Sequence, residues 1–285
     1  MIELEDDGCP KPGIYPNVPQ GEYASWKAAS YSTVSPYFRS AAHGHYEEMH
    51  PRPSTDAQSL GTAAHMAILE PARFAKVVQR PASLEGGKGK VAQQARANWE
   101  RLHFGEEWVS ADEYDFATQM RDSVYSHASA AEILKAPGLH EVCLVWIDFE
   151  YRVKCKAKLD ILALWNGYRI IGDLKSCRDA RPRAAASSMH KYDYHRQAAW
   201  YLAGASALDP QERNFVQIAV ENDPPFGVAV YQLDGSDIQQ GHDEMRLAFS
   251  RYVKGHKTGV FPGYDGGMGI LTLPGWGKRF HGEEA

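Results

Sequence analysis

Asp173 and Lys175 stand two residues apart at the end of an apolar run, and Asp160 precedes Asp173 by thirteen positions. If that run is a strand, residues two apart share a face, so the carboxylate and the ammonium of Asp173-Leu174-Lys175 lie side by side. Two carboxylates and a lysine suit metal-assisted hydrolysis of a phosphodiester. Carboxylates hold a divalent cation while leaving positions open for water and phosphate. A lysine beside them offsets negative charge and orients or deprotonates the water. The same tripeptide is also an ordinary solvated strand end, so its neighbours decide.

Asp160 ends an alternating stretch that begins at Tyr151. Tyr151, Val153, Cys155, Ala157 and Leu159 fall on one face; Arg152, Lys154, Lys156, Lys158 and Asp160 fall on the other. A solvated strand face explains the basic residues. It explains less well their convergence on a carboxylate, whereas a phosphate backbone calls for a basic strip leading to one. Downstream, Gln197 and Tyr201 are four apart on an expected helix, with Tyr194 one turn earlier. The amide suits a water or a phosphate oxygen, and the phenols suit a phosphate. A half-buried packing helix has the same spacing.

The elements that would position these residues follow from periodicity and breakers. Four prolines within residues 1–22 indicate an extended arm, and residues 43–58 read as a polar loop. A small-residue helix starts at Ser59, carries His65, and is stopped by Pro71. A Gly-rich loop is expected over 81–90, and Ser110 with Glu113 has the spacing of a capping box. The period then changes to two over 141–148, 151–160 and 168–175. A helix over 184–203, strands over 214–221 and 226–233, and an amphipathic helix over 234–254 complete the order. This order predicts one α/β domain over 23–285, its central mixed β-sheet flanked by helices. Its parts are a helical elaboration over 23–138, a core over 139–257 and a Gly/Pro-rich tail over 258–285.

With 285 residues, 44% of them apolar, the chain has enough apolar material for a large core. The net charge of −5 argues against a protein that coats nucleic acid non-specifically, yet leaves room for a local basic channel. No apolar run approaches the ~20 residues of a membrane span, so no membrane partner is expected. The acidic start, Met1 to Asp7, lacks the basic-then-apolar order of a signal peptide, and a cytoplasmic location is expected. Cys9, Cys143, Cys155 and Cys177 are widely spaced without a CxxC, which predicts neither zinc, nor an iron–sulfur cluster, nor a disulfide framework.

Taken in order, several stretches resemble the PD-(D/E)XK nuclease superfamily, and within it the RecE-type exonucleases (the exonuclease VIII C-terminal domain and phage exonucleases). They are Gly61-Thr62-Ala63-Ala64-His65 with Leu69-Glu70-Pro71, Glu141 ahead of Trp146, and Lys158-Leu159-Asp160. Asp173-Leu174-Lys175-Ser176, the run Tyr194 to Tyr201 and the late run Leu271 to Trp276 complete the set. The resemblance implies a restriction-endonuclease-like core. It makes Asp160 and Asp173 metal-binding carboxylates, with the Leu174 carbonyl as a backbone ligand, and Lys175 the catalytic lysine. His65 and Glu141 would join the metal site, and Gln197 with Tyr201 would form the QxxxY motif. By residue type alone, His65 reads equally as a buried histidine and Glu141 as a strand-end surface residue.

Lys154, Lys156, Lys158, Tyr194 and Arg196 are the candidate contacts to nucleic acid. The family often has Arg where Lys158 stands and Pro where Leu159 stands. The implied activity is Mg²⁺-dependent exonuclease action on linear double-stranded DNA, 5′→3′, with Mn²⁺ substituting. A ring-shaped homotetramer, a RecT-type annealing partner and a bacterial or phage-infected cell are implied with it. A single-strand exonuclease or structure-specific endonuclease of the same superfamily, and an inactive DNA-binding scaffold, are the other readings. The iron–sulfur branches of the superfamily need a cysteine spacing that this chain lacks.

Overall fold

The computed structural model describes residues 5–50, 56–85, 87–264 and 268–272. The chain opens with β1 (Gly13–Tyr15), α1 (Gln20–Ser25), β2 (Ala29–Ser30), α2 (Tyr31–Val34) and α3 (Ala41–Met49). Next come α4 (Asp56–Leu69), α5 (Pro71–Phe74), β3 (Val78–Arg80), α6 (Lys90–Leu102), β4 (Trp108–Ser110), α7 (Ala111–Ser126) and α8 (Ala128–Lys135). The core follows as β5 (Gly138–Ile147), β6 (Lys154–Trp165), β7 (Tyr168–Cys177), α9 (Pro182–Lys191), α10 (Tyr194–Leu208), β8 (Asn214–Glu221), β9 (Val228–Gln232) and α11 (Gly235–Thr258).

Local signals set many of these boundaries. Ser110 and Glu113 form the reciprocal capping box at the start of α7. Asp234 caps α11, and Gly259 closes it in the left-handed conformation at φ 68°. Several expectations need correction. Residues 43–49 of the expected loop over 43–58 lie in helix α3, opened by a Ser40 cap. The helix expected from Ser59 begins at Asp56. The stretch read as an extended arm contributes β1, which pairs antiparallel with β5, and the start of α1. Strand β6 runs on to Trp165, so Asp160 lies in mid-strand and not at its end. The helix expected over 184–203 is two helices, broken at Asp193, whose φ is 58°. Of the late run Leu271 to Trp276, residues 273–276 lie outside the described residues.

Among the described residues, seven strands form one mixed sheet in the order β1-β5-β6-β7-β8-β9, with β2 parallel to β6. Helices cover both faces, an α/β layering. On one face α10 and α11 bury Leu144, Leu159, Ile171, Trp200, Phe215 and Phe249. The other face has two separate covers. Helices α4, α7 and α8 pack Ile68, Met120 and Ile133 onto Ile161, Leu174 and Ile218. The N-terminal segment packs Cys9, Val18 and Trp26 onto Cys143 and Val145. No described helix is long and apolar enough to cross a membrane.

Helices α10 and α11 touch closely at Gly241, where an added Cβ would lie 2.3 Å from the carbonyl oxygen of His195. Helix propensity alone favours alanine there by up to ~1 kcal/mol. Overpacking against backbone costs about 1–3 kcal/mol and should win. Gly241→Ala is therefore expected to lower the urea midpoint; a raised midpoint would show that the two helices are not in contact there.

Candidate active site

The site begins where two strands part. β6 and β7 pair from Trp165↔Tyr168 up to Ile161↔Gly172, and the next opposed residues, Asp160 and Asp173, are not paired. Beyond that point β7 continues beside β8 as far as Cys177↔Glu221. The lost ladder bond is replaced by a side chain: the Leu174 N–H donates to Asp160 Oδ2 at 2.7 Å. On the other side of β6, the ladder runs through His140↔Ile161 and Val142↔Leu159 but skips Glu141 opposite Asp160. Glu141 has φ 49°, a conformation costly for a residue with a Cβ. The burial phase of β6 also changes here. Leu159 belongs to the cluster under α10 and α11, whereas Ile161 and Ala163 belong to the opposite one.

A cleft of about 750 Å³ opens at this discontinuity, between the N-terminal cover and α4. Gln20, His65, Glu141, Lys158, Asp160, Leu174, Lys175 and Tyr194 line it. Helix α4 approaches because its inward residues are small. Ala64 is buried, and a Cβ at Gly61 would lie 3.2 Å from Ser176 Oγ. This approach brings His65 Nε2 to 2.7 Å from the Leu174 carbonyl oxygen. A carbonyl only accepts, so this nitrogen carries the proton. In the neutral ring, Nδ1 then presents its lone pair to Asp160 Oδ2, 3.8 Å away.

His65, Glu141 and Asp160 each offer one ligand atom, and these atoms lie within 4.8 Å of one another. A lone pair and two carboxylates facing each other can take a cation between them, beside the Lys158 ammonium that already pairs with Glu141. Two carboxylates, one imidazole and the nearby Leu174 carbonyl suit a hard divalent ion. The residues present therefore fit the divalent metal that the resemblance implies.

Asp173, expected as a second metal-binding carboxylate, neither joins that group of ligand atoms nor lines the cleft; it is 3% exposed and clasps Lys175 with both oxygens, at 2.9 and 2.8 Å. Burial alone would lower the Lys175 pKa, but the Asp173 and Asp160 carboxylates outweigh it and hold the ammonium above its ordinary value. Lys175 is thus a fixed positive charge. Burial pushes the Asp160 carboxyl up to about 6; Lys175 opposes the shift, as His65 does when its ring is charged, while Asp173 and Glu141 add to it. Glu141 pairs with Lys158 at 2.5 Å, and Lys158 also reaches Gln20 Oε1 at 3.4 Å. Gln197 Nε2 donates to the Tyr201 hydroxyl at 2.9 Å, but neither side chain lines the cleft. Burial, then Asp173 and Asp160, raise the Tyr201 pKa well above the usual phenol value, which keeps the hydroxyl protonated behind the carboxylates.

Of the five candidate nucleic-acid contacts, Lys158 and Tyr194 line the cleft and three do not. Lys154 is paired with Glu5 at 2.5 Å and Asp7 at 2.7 Å. Lys156 is buried, its ammonium donating to the carbonyls of Tyr23, Ala24 and Trp26 at 2.9, 3.4 and 2.7 Å. Arg196 is held by Glu244 at 2.7 Å and Asp193 at 2.6 Å, over the ring of Phe38. These three cations are already used by the fold. Gln20 and Arg73 line the cleft without having stood out in the sequence, and Glu70, quoted there only within a motif, lines it too. Arg73 and Glu70 are an ion pair, and no local pattern marks Gln20.

Residues 31–273 match the family described as "PDDEXK-like domain of unknown function (DUF3799)". Among solved structures, a "Putative exonuclease" from Eubacterium rectale is similar over 90% of this chain and 96% of that one, at 12% identity and a TM-score of 0.55. At that identity the likeness concerns the fold. Protein VC1899 from Vibrio cholerae aligns over 86% of this chain and 58% of that one, at 12% identity and a TM-score of 0.26, too loosely to carry an argument. No curated protein matches the chain.

The raised Asp160 pKa gives a signed prediction. Its ionisation costs the metal-free fold nothing below the unfolded value of 3.8, and the full cost is present above about 6. Asp160→Asn should therefore raise the metal-free melting midpoint at pH 8, by roughly 2–6 °C, and the gain should vanish near pH 4. In the wild type, Mn²⁺ binding followed by calorimetry should weaken as pH falls below about 6, because the ligand must lose its proton. A midpoint lowered at pH 8 would refute the buried-charge account.

Proposed function

The chain belongs to the PDDEXK-like domain family, and from that membership we propose that it is a Mg²⁺-dependent exodeoxyribonuclease acting on linear double-stranded DNA. The observation that carries this reading is the convergence of His65, Glu141, Asp160 and the Leu174 carbonyl beside a lysine clasped by Asp173. The exonuclease named from Eubacterium rectale has the same fold and lends support to action at ends. The proposed polarity is 5′→3′, leaving a 3′ single strand for recombination.

His65, Glu141, Asp160 and the Leu174 carbonyl would hold the cation. When bound, a divalent ion neutralises phosphate charge and lowers the pKa of water. Lys175 contributes a fixed ammonium at the cleft, aimed at charge that develops on phosphate oxygens. Asp173 fixes its position, and the Gln197–Tyr201 pair closes the space behind the carboxylates. Lys158 orients Glu141. Mn²⁺ would serve in place of Mg²⁺, since both accept oxygen ligands.

A ring-shaped homotetramer around the duplex is part of the proposal. It would reconcile a net charge of −5 with DNA binding by concentrating cations on an inner surface. A single-strand annealing protein of the RecT type is the proposed partner for the product strand.

Asp173→Ala should reduce Mg²⁺-dependent digestion of end-labelled linear duplex by about 100-fold or more, with the circular-dichroism spectrum unchanged. Loss of a 5′ label ahead of a 3′ label is expected, and closed circular DNA should survive. Wild-type rates in the variant would overturn the site, and cutting of the circle would make the enzyme an endonuclease. Light scattering at micromolar concentration should give four chains per particle; a monomer would exclude the ring.

A further inference from the structure

A continuous helix does not let residues i and i+2 face each other. Tyr192 and Tyr194 nevertheless stack, with ring centroids 5.7 Å apart and planes 28° from parallel. The intervening Asp193 makes this possible. It stands at φ 58° and ψ 34°, left-handed, and separates α9 from α10. That backbone is disfavoured for a residue with a Cβ, and the surrounding structure over-determines it. The Tyr31 hydroxyl donates to the Asp193 carbonyl at 3.1 Å, and Arg196 holds its carboxylate at 2.6 Å. Arg196 is in turn anchored to Glu244 on α11 at 2.7 Å. Arg196 thus builds the kink.

The kink sets up an aromatic path out of the cleft. Lys175 Nζ lies 5.0 Å from the centre of the Tyr194 ring, Tyr194 stacks on Tyr192, and Lys191 Nζ lies 4.8 Å from the centre of the Tyr192 ring. Tyr194 lines the cleft, whereas Tyr192 is 52% exposed. Neither hydroxyl has a hydrogen-bond partner among the described residues, and the outer ring of the pair, Tyr192, is covered only by the flexible Lys191 side chain. A pair serving only packing would be buried, but Tyr192 is exposed and Tyr194 only half-buried. Lys191 has no carboxylate partner among the described residues.

We infer that Tyr192, Tyr194 and Lys191 form a stacking subsite for an unpaired nucleobase, so that the strand reaching Lys175 arrives single-stranded at its end. A base inside a duplex already has both faces covered; an aromatic platform receives one only after it leaves the stack. Lys191, a flexible surface side chain, yields its ring face to the base and keeps its charge for the adjoining phosphate. The inference rests on the nuclease reading for its substrate class and adds the state of that substrate at the site.

The test separates binding from cutting. Fluorescence anisotropy in EDTA compares a single-stranded DNA dodecamer, the same dodecamer with abasic sites at its end, and a blunt duplex. Tyr192→Ala should weaken binding of the normal dodecamer by about 5- to 100-fold, and Tyr192→Phe should restore it, since the ring and not the hydroxyl is used. The abasic strand and the blunt duplex should bind Tyr192→Ala and wild type alike. Unchanged dodecamer binding in Tyr192→Ala, or equal weakening on the abasic strand, overturns the inference. If that occurs while wild type digests DNA in Mg²⁺, the nuclease reading survives alone. Tyr192-dependent binding without any digestion upholds the subsite and overturns the activity.

Discussion

The hydrogen bond from the Leu174 amide to the Asp160 carboxylate is the interaction on which the site depends. A β-ladder satisfies its amides with carbonyls and leaves no room for a ligand. Here a side chain takes the carbonyl's place, and β6 and β7 separate without leaving that buried amide unpaired. Separation exposes Asp160, while Asp173 stays clasped to Lys175. It also frees the Leu174 carbonyl, which His65 meets from α4. β8 keeps β7 in the sheet by parallel pairing, so the strand is displaced from one neighbour and not lost.

The electrostatic balance follows from that geometry. Asp160 and Glu141 line one opening with Asp173 buried beside it, and like charges in a poorly solvated place raise the energy of the folded chain. Lys175 and Lys158 offset part of it, each on a different carboxylate. Asp160 has only an amide and a distant imidazole, and it is the carboxyl whose affinity for a proton rises. The residual imbalance is what would make the opening attractive to a divalent cation. Stability and metal affinity pull in opposite directions at this one residue.

Much of this was legible in the sequence because the relevant contacts are local. Asp173 and Lys175 are two apart in a strand, and their ion pair follows from pleat geometry. The capping box at Ser110 is equally local. The alternation from Tyr151 identified β6, but its end could not be read, since Ile161 and Ala163 continue an apolar pattern after the strand changes phase. Lys156 looked free because the three carbonyls that hold it lie about 130 residues away in the chain. Arg196 looked like a phosphate ligand for the same reason, with Glu244 and Phe38 brought to it by the fold. The break at Asp193 carries no glycine or proline to announce it; the Tyr31 hydroxyl, 162 residues away in the chain, and the Arg196 guanidinium, three residues on, hold it.

The N-terminal segment that occupies Lys154 and Lys156 has a thermodynamic consequence. Much of the affinity of proteins for DNA comes from counterions released when lysines replace them along the phosphates, and it falls steeply as salt rises. A lysine already joined to a carboxylate or a ring of carbonyls within its own chain adds little to that entropy. With two cations of the strip spent in this way, the proposed grip on DNA would lean on aromatic faces, whose attraction salt screens poorly. Such a protein would hold its strand by contact more than by charge, and would lose less of its hold where ionic strength is high.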